Sequence, residues 1–154
     1  MTMFFAFLIG LFTGLRSLTA PAAVAWAAYL GWLGLDPPLS LIGSLPAVII
    51  LTLFALGELV VDKLPITPKR TEIPGLMIRM LTGGIAGACI ADGGAQPALP
   101  GAVLGAAGGL VGAFAGYQLR TRIVNGLGIR DLYVALVEDL IAIAGCFWIV
   151  SLRL

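Results

Sequence analysis

The sequence predicts an all-α integral membrane protein. Of its 154 residues, 60% are hydrophobic and only 11% are charged, against roughly 25% charged in ordinary soluble domains. The apolar runs are long and lack the alternation of barrel strands, and a backbone in lipid must satisfy its own hydrogen bonds within helices. At about 20 residues per span, the chain forms a single transmembrane domain over residues 1–154 with five or six spans.

Breaks that contain Pro or Gly, which stop helices, separate the apolar segments. The segments are residues 3–15, 20–35, 46–64, 73–91, 100–117 and 132–152. The first two are short for spans, so they form either two helices or one broken or re-entrant element. The expected fold is therefore a compact bundle of six transmembrane helices, with five as the alternative.

The N-terminal segment lacks a basic region and a small-residue cleavage site. It is therefore expected to be the first span rather than a removable signal peptide. The second segment follows the break LRSLTAPA, in which Thr19 is a candidate N-cap and Pro21 suits the first helical turn.

Basic residues predict the orientation. Lys63, Lys69 and Arg70 follow the third segment, and the break after the fifth carries the arginines Arg120, Arg122 and Arg130. Both breaks are expected in the cytoplasm. The intervening breaks contain no Lys or Arg, which places them on the other side, as expected for a protein of the bacterial inner membrane.

Three spans followed by three would give an inverted repeat, with halves 1–64 and 73–154, as in many transporters. LFTG in the first half resembles MLTG in the second, and ALGEL resembles ALVEDL. The second pair disagrees with the symmetry, because Glu58 lies late in its helix and Glu138 lies early. The repeat stays open at this point.

The fifth segment carries two glycine series at a spacing of four residues. Small residues at that spacing let another helix backbone approach closely, so the structural interpretation is helix packing. The functional alternative is a smooth face that slides during transport or lines a narrow pore. The two series are Gly101, Gly105, Gly109 and Gly108, Gly112, Gly116.

Charged residues lie inside the third, fourth and sixth segments. Glu58, Arg79 and Glu138 are each about 9 Å from the cytoplasmic end of their helix, at ~1.5 Å per residue. Asp62 and Asp139 lie close to the two glutamates in sequence. One interpretation is a buried cluster of ion pairs, Glu58 with Arg79 and Asp139 with Arg120.

The other interpretation of this layer is a polar vestibule that binds an ion or solute, since ionisable residues at membrane depth are usually functional. A second candidate site is the break before the second segment, with Arg16, Ser17 and Thr19. A helix N-terminus beside an arginine suits an anion. The alternative there is a simple capped helix whose arginine extends to lipid phosphate.

Several classes of function are not supported by the sequence. It contains no His, which removes His metal ligands and His general bases, and we recognise no nucleophile pairing, phosphate loop or metal cluster. We therefore expect no catalytic activity, metal or cofactor. The two cysteines, Cys89 and Cys146, are expected to be small buried hydrophobes. Basic residues are dispersed among acids, so no nucleic-acid partner is expected.

Three stretches carry a family resemblance. GLRSLTAPAA, GELVVDKLP and LVEDLIAI resemble a family of small bacterial membrane proteins catalogued as a domain of unknown function, number 4126. The matched positions are Glu58, Asp62, Lys63, Pro65, Glu138 and Asp139. The resemblance covers nearly the whole chain and implies a compact helical membrane domain, without implying an activity.

From these observations we expect a small transporter or channel in which the charged residues line a cytoplasmic-side polar cavity. The solute would be a small ion or molecule, and a homo-oligomer, most simply a dimer, is expected in the lipid. The alternative is a non-transporting scaffold or holin-like protein whose charges form structural ion pairs.

Overall fold

The fold is described from a computed structural model, over residues 1–61, 72–128 and 130–152. These residues form six α-helices and one short 3-10 helix, with no strand among them. The α-helices are α1 (Thr2–Leu15), α2 (Thr19–Tyr29), α3 (Leu45–Val61), α4 (Ile73–Gly93), α5 (Ala98–Leu127) and α6 (Asp131–Ser151). The 3-10 helix, Leu39–Gly43, connects α2 to α3.

Three of these helices, α4, α5 and α6, are long and apolar enough to cross a membrane. Helices α1 and α3 are apolar but shorter, and α2 has 11 residues. At 1.5 Å per residue, α1 is about 21 Å long and α2 about 17 Å, against a hydrocarbon core of about 30 Å. The part of the chain that the structure describes is therefore all-helical, with three helices long and apolar enough to cross a membrane.

Two helix ends differ from the sequence expectation. Helix α2 ends at Tyr29 rather than at residue 35, because Gly31 adopts a left-handed conformation and Leu33 turns back against Gly93. Helix α5 continues ten residues past Tyr117 and ends before Gly128, which has φ +61°. Arg120 and Arg122 therefore lie within α5 and not in the break that follows it.

Close backbone contacts between glycines hold α1, α4 and α5 together. A methyl group added at Gly105 would overlap the carbonyl oxygen of Gly83, and one added at Gly10 would overlap that of Gly105. Gly112 likewise lies against Leu11 and Gly14. Such contacts are possible because glycine has no Cβ, and they bring three backbones together along one line.

The contacts also define the direction of each helix. Helix α5 runs antiparallel to α4, since Gly101 meets Gly87 and Gly109 meets Arg79, and it runs parallel to α1. Helix α6 runs antiparallel to α1, and α3 antiparallel to α2. The C-terminal ends of α1, α3 and α5 therefore lie with the N-terminal ends of α2, α4 and α6. This end of the bundle carries Arg120, Arg122 and Arg130 and is called the basic end.

The two halves of the chain begin at opposite ends of the bundle, but their helices differ in length. Helices α1 and α2 have 14 and 11 residues, whereas α4 and α5 have 21 and 30. The connection between α1 and α2 has three residues, 16–18, and the corresponding connection between α4 and α5 has four, 94–97. The inverted repeat therefore stays a prediction.

We expect Gly105→Ala to destabilise the bundle, because its methyl group would overlap the Gly83 carbonyl and approach the Gly87 backbone. Overpacking of this kind costs roughly 1–3 kcal/mol. Thermal unfolding in detergent measures the effect. The matched control is Gly57→Ala in α3, where the added methyl meets no atom within 4 Å; we expect that variant to gain up to about 1 kcal/mol. Equal melting temperatures for the two variants would contradict this packing.

Candidate functional site

The interruption between α1 and α2 lies where three helices bring charged side chains together. Arg16 is extended (φ −140°, ψ 111°) and ends α1. Helix α2 begins at Thr19, three residues later. Arg16 is fully buried, and Ser17 and Thr19 are nearly so.

Helices α1 and α2 run antiparallel, since Thr2 lies against Gly94 and Leu33 against Gly93 at the far end of α4. Residues 16–18 therefore form the turn of a helical hairpin. The backbone groups that have no partner within α1 or α2 lie in the protein interior at this turn, where they need other partners.

Glu58 of α3 provides the partner for the amide end of α2. Its Oε1 accepts hydrogen bonds from the Ser17 N–H at 2.8 Å and the Ser17 hydroxyl at 2.5 Å. Its Oε2 accepts one from the Leu18 N–H at 2.8 Å. A carboxylate suits this position because the N-terminal end of a helix carries partial positive charge and exposed N–H groups.

Arg79 of α4 serves the carbonyl end of α1. Its Nε donates to the Gly14 carbonyl at 3.1 Å, and one terminal nitrogen donates to the Gly75 carbonyl, also at 3.1 Å. Arg79 is buried. The C-terminal end of a helix carries partial negative charge, so a guanidinium is favourable there. The N-terminal end of α2 and the C-terminal end of α1 are thus bound by side chains of opposite charge. Each side chain has the sign that its helix end favours.

Arg16 itself pairs with Asp139 of α6. Its Nε donates to Asp139 Oδ1 at 2.5 Å, and a terminal nitrogen forms an ion pair with the same oxygen. Both side chains are buried. Asp139 lies eight residues into α6, about 12 Å from the start of that helix. This is a buried, charge-assisted contact between the interruption and the last helix.

Glu138, the neighbour of Asp139, faces a different helix. Its Oε2 lies 3.5 Å from a terminal nitrogen of Arg120. Arg120 also donates two hydrogen bonds to Asp131, at 2.7 and 2.5 Å. Glu138 and Arg120 line a cavity of about 160 Å³ between α1, α5 and α6, whose other lining residues are apolar.

The structure brings the predicted site residues together in a different way from the predicted ion pairs. Within the described residues, Glu58 accepts hydrogen bonds from the α2 backbone, where a pair with Arg79 was expected, and Asp139 pairs with Arg16, where a pair with Arg120 was expected. The expected N-cap residue is also corrected, since Leu18 holds that position without a side-chain cap and Glu58 caps from another helix. Asp62 lies outside the described residues.

Two sites proposed separately from the sequence are therefore one. The break with Arg16 and Ser17 is the place where Glu58, Arg79 and Asp139 meet. The Gly14 carbonyl and the Leu18 amide were missed as members of it, because backbone groups carry no signature in the sequence. The signal that could have found them is the shortness of the first two segments, which implies unpaired backbone within the membrane.

The fold and this charged layer define a helical membrane protein with a short helical hairpin, α1 and α2, whose turn contacts charged side chains of three other helices. The chain belongs to the family described as Domain of unknown function (DUF4126), whose model matches residues 3–152. The resemblance noted from the sequence is thereby confirmed. No curated protein and no solved structure matches the chain.

We expect Asp139→Asn to destabilise the protein strongly, because it leaves the Arg16 guanidinium buried beside a neutral group. Removing one member of a buried pair typically costs about 3–5 kcal/mol. The double variant Arg16→Met/Asp139→Leu removes both charges and should recover most of that loss. Membrane abundance and thermal unfolding compare the three proteins. A double variant no more stable than Asp139→Asn would count against this pairing.

A second expectation concerns the amide end of α2. Glu58→Ala removes the acceptor for the Ser17 and Leu18 amides, so hydrogen–deuterium exchange should become faster in peptides that cover the start of α2. Asp92→Ala is the matched control, because Asp92 accepts from the Asp36 N–H at 2.8 Å at the opposite end of the bundle. That variant should speed exchange near Asp36 and leave α2 unchanged. The same exchange pattern in both variants would contradict a local cap.

Proposed function

We propose that this protein is a small transporter or channel of the bacterial inner membrane that moves a small ion or solute through the layer around the α1–α2 interruption. The observation that carries the proposal is the pair of helix ends at the α1–α2 turn, one bound by a carboxylate and the other by a guanidinium. Helix ends that lie inside the membrane and face polar groups are how many secondary transporters build their binding sites. Ionisable residues at such depth are costly and usually functional.

The contacts suggest how a solute would engage this layer. An anion could replace Asp139 beside Arg16, or Glu58 at the amides of Ser17 and Leu18. A proton or cation could neutralise either carboxylate and so weaken its contact. In each case, solute binding breaks a polar contact between the interruption and a neighbouring helix. The position of that helix would then depend on whether a solute is bound.

Helix α3 is the element best suited to move. Of its 17 residues, only Val48 is fully buried. Its polar links to α2 are the Glu58 contacts and the hydrogen bond from the Trp26 indole to Thr52 at 3.0 Å. The glycine-packed helices α1, α4 and α5 would form the fixed part. A homo-oligomer, most simply a dimer, is part of this proposal, and the exposed apolar faces of α3 are available for it.

The second candidate is a non-transporting scaffold, and a specific observation favours it. Arg16, Glu58 and Arg79 each contact a group of complementary charge or a backbone group that suits their sign. Such contacts can serve structure alone, by holding the turn between α1 and α2 in place. The two candidates differ in whether ions or solutes cross the layer.

Flux measurements in liposomes test the proposal. We expect Glu58→Gln and Glu138→Gln to lower uptake of the transported proton, cation or small anion by about 10- to 100-fold, since a hydrogen bond to a charged group contributes about 1.5–3 kcal/mol. Asp36→Asn, at the exposed opposite end of the bundle, is the matched control and should transport normally. Membrane abundance must be equal in all four proteins.

The Arg16→Met/Asp139→Leu variant separates the two candidates. If the layer is a transport path, this variant should be folded but inactive. If the native protein shows no flux of protons, cations or small anions, and the double variant is as stable as the native protein, the scaffold replaces the transporter.

A further inference from the structure

We propose that the cavity between α1, α5 and α6 at the basic end binds one anionic phospholipid, with a stretch of acyl chain in the cavity and the phosphate on the arginines at its mouth. The cavity adjoins the proposed transport layer, because Glu138 lines it and Leu15 of its wall directly precedes Arg16. The inference does not depend on whether the protein transports a solute.

The walls of the cavity fit an acyl chain. Its volume is about 160 Å³, and an apolar cavity of about 150 Å³ is large enough to hold a molecule such as benzene. Six aliphatic side chains line it: Leu15, Leu119, Ile123, Val134, Val137 and Ile141. Val137 is 57% exposed, so the cavity is accessible from outside the bundle, where lipid chains surround a membrane protein.

The arginines lie at the depth of a lipid headgroup. Arg120 is 22 residues after the start of α5 at Ala98, which places it about 33 Å along the helix, just beyond a hydrocarbon core of about 30 Å. Arg122 is one residue before Ile123 of the cavity wall, and Arg130 is one turn before Val134. Basic pockets between helices on the cytoplasmic side are typical binding sites for anionic lipid headgroups.

The charges beside the cavity favour an anion. Arg120, Arg122 and Arg130 face two acids, Asp131 and Glu138, which both contact Arg120. Arg122 and Arg130 are exposed, and within the described residues neither forms an ion pair. They are therefore available for a phosphate, whereas Arg120 is held at the cavity wall by its two acids.

A phospholipid fits better than a soluble anion because Arg120 lines the aliphatic cavity, and Arg122 and Arg130 are close in sequence to Ile123 and Val134 of its wall. Free phosphate would use the arginines alone and leave the cavity unused. The opposite end of the bundle has no comparable site, since the connections around Asp36 and Asp92 contain no Lys or Arg.

Native mass spectrometry of the detergent-purified protein tests this inference. The protein is titrated with phosphatidylglycerol, with phosphatidylcholine of the same acyl chains, and with inorganic phosphate. We expect one phosphatidylglycerol to be retained in preference to phosphatidylcholine, and inorganic phosphate to compete only weakly. Equal retention of the two lipids, or displacement of phosphatidylglycerol by millimolar phosphate, overturns the proposal in favour of nonspecific lipid or of a simple anion site.

Two variants examine the two parts of the site separately. Arg122→Gln/Arg130→Gln should lower the preference for phosphatidylglycerol by roughly 30-fold, since each basic residue near an anionic lipid surface contributes about 1 kcal/mol. Val137→Phe should fill the cavity and lower retention of both lipids.

Val111→Phe is the matched control for Val137→Phe, because Val111 is a similarly exposed valine on α5 that does not line the cavity. This control should retain lipid like the native protein. A full preference for phosphatidylglycerol in the double arginine variant would exclude the headgroup contact, and equal retention by the two Val→Phe variants would exclude the cavity. Val137 and Val111 are both exposed. Unchanged thermal unfolding before lipid addition verifies that each variant is folded.

Discussion

The rest of the structure depends on the way in which the interruption between α1 and α2 is satisfied. A break inside a membrane protein exposes backbone N–H and C=O groups that lipid cannot hydrogen-bond, so other parts of the chain must do so. Here a carboxylate from α3 binds the N–H groups and a guanidinium from α4 binds a carbonyl. The charged side chains and the α1–α2 turn thus require each other, because each provides the polar groups that the other lacks.

A second constraint is the close approach of α1, α4 and α5. Their glycines allow backbone-to-backbone contact, and this contact places Gly14 of α1 within reach of Arg79 on α4. A larger residue at these positions would separate the helices and lengthen that hydrogen bond. The glycine packing and the charged layer are therefore parts of one arrangement, in which the apolar contact sets the geometry of the polar one.

Helix α3 is attached differently from the other helices. It buries little of its surface, and its polar contacts with α2 come from Glu58 and Thr52. Helices α2 and α6, in contrast, contribute several residues to the apolar core shared with α1 and α4, and Asp139 of α6 also pairs with Arg16. The bundle therefore combines a well-buried centre with one helix, α3, that is held mainly by polar contacts, and this difference is the physical basis for proposing that α3 moves.

Composition and hydropathy were sufficient to predict a helical membrane protein and the approximate positions of its helices, because a chain in lipid has few ways to satisfy its backbone. They were also sufficient to identify Glu58, Arg79, Glu138 and Asp139 as interior charges. The ends of α2 and α5 were less predictable. They depend on single glycines, and a glycine inside an apolar segment has the same appearance whether it continues or ends a helix.

The sequence by itself thus determined which residues are charged at membrane depth and that they share one layer, since depth follows from position along a helix. Only the tertiary structure decided the contacts within that layer. Contacts depend on how each helix is rotated about its axis and on which helices are neighbours. The depth of a residue in the membrane gives no information about either. For that reason Asp139 pairs with Arg16 rather than Arg120, and Glu58 binds the backbone of α2 rather than Arg79.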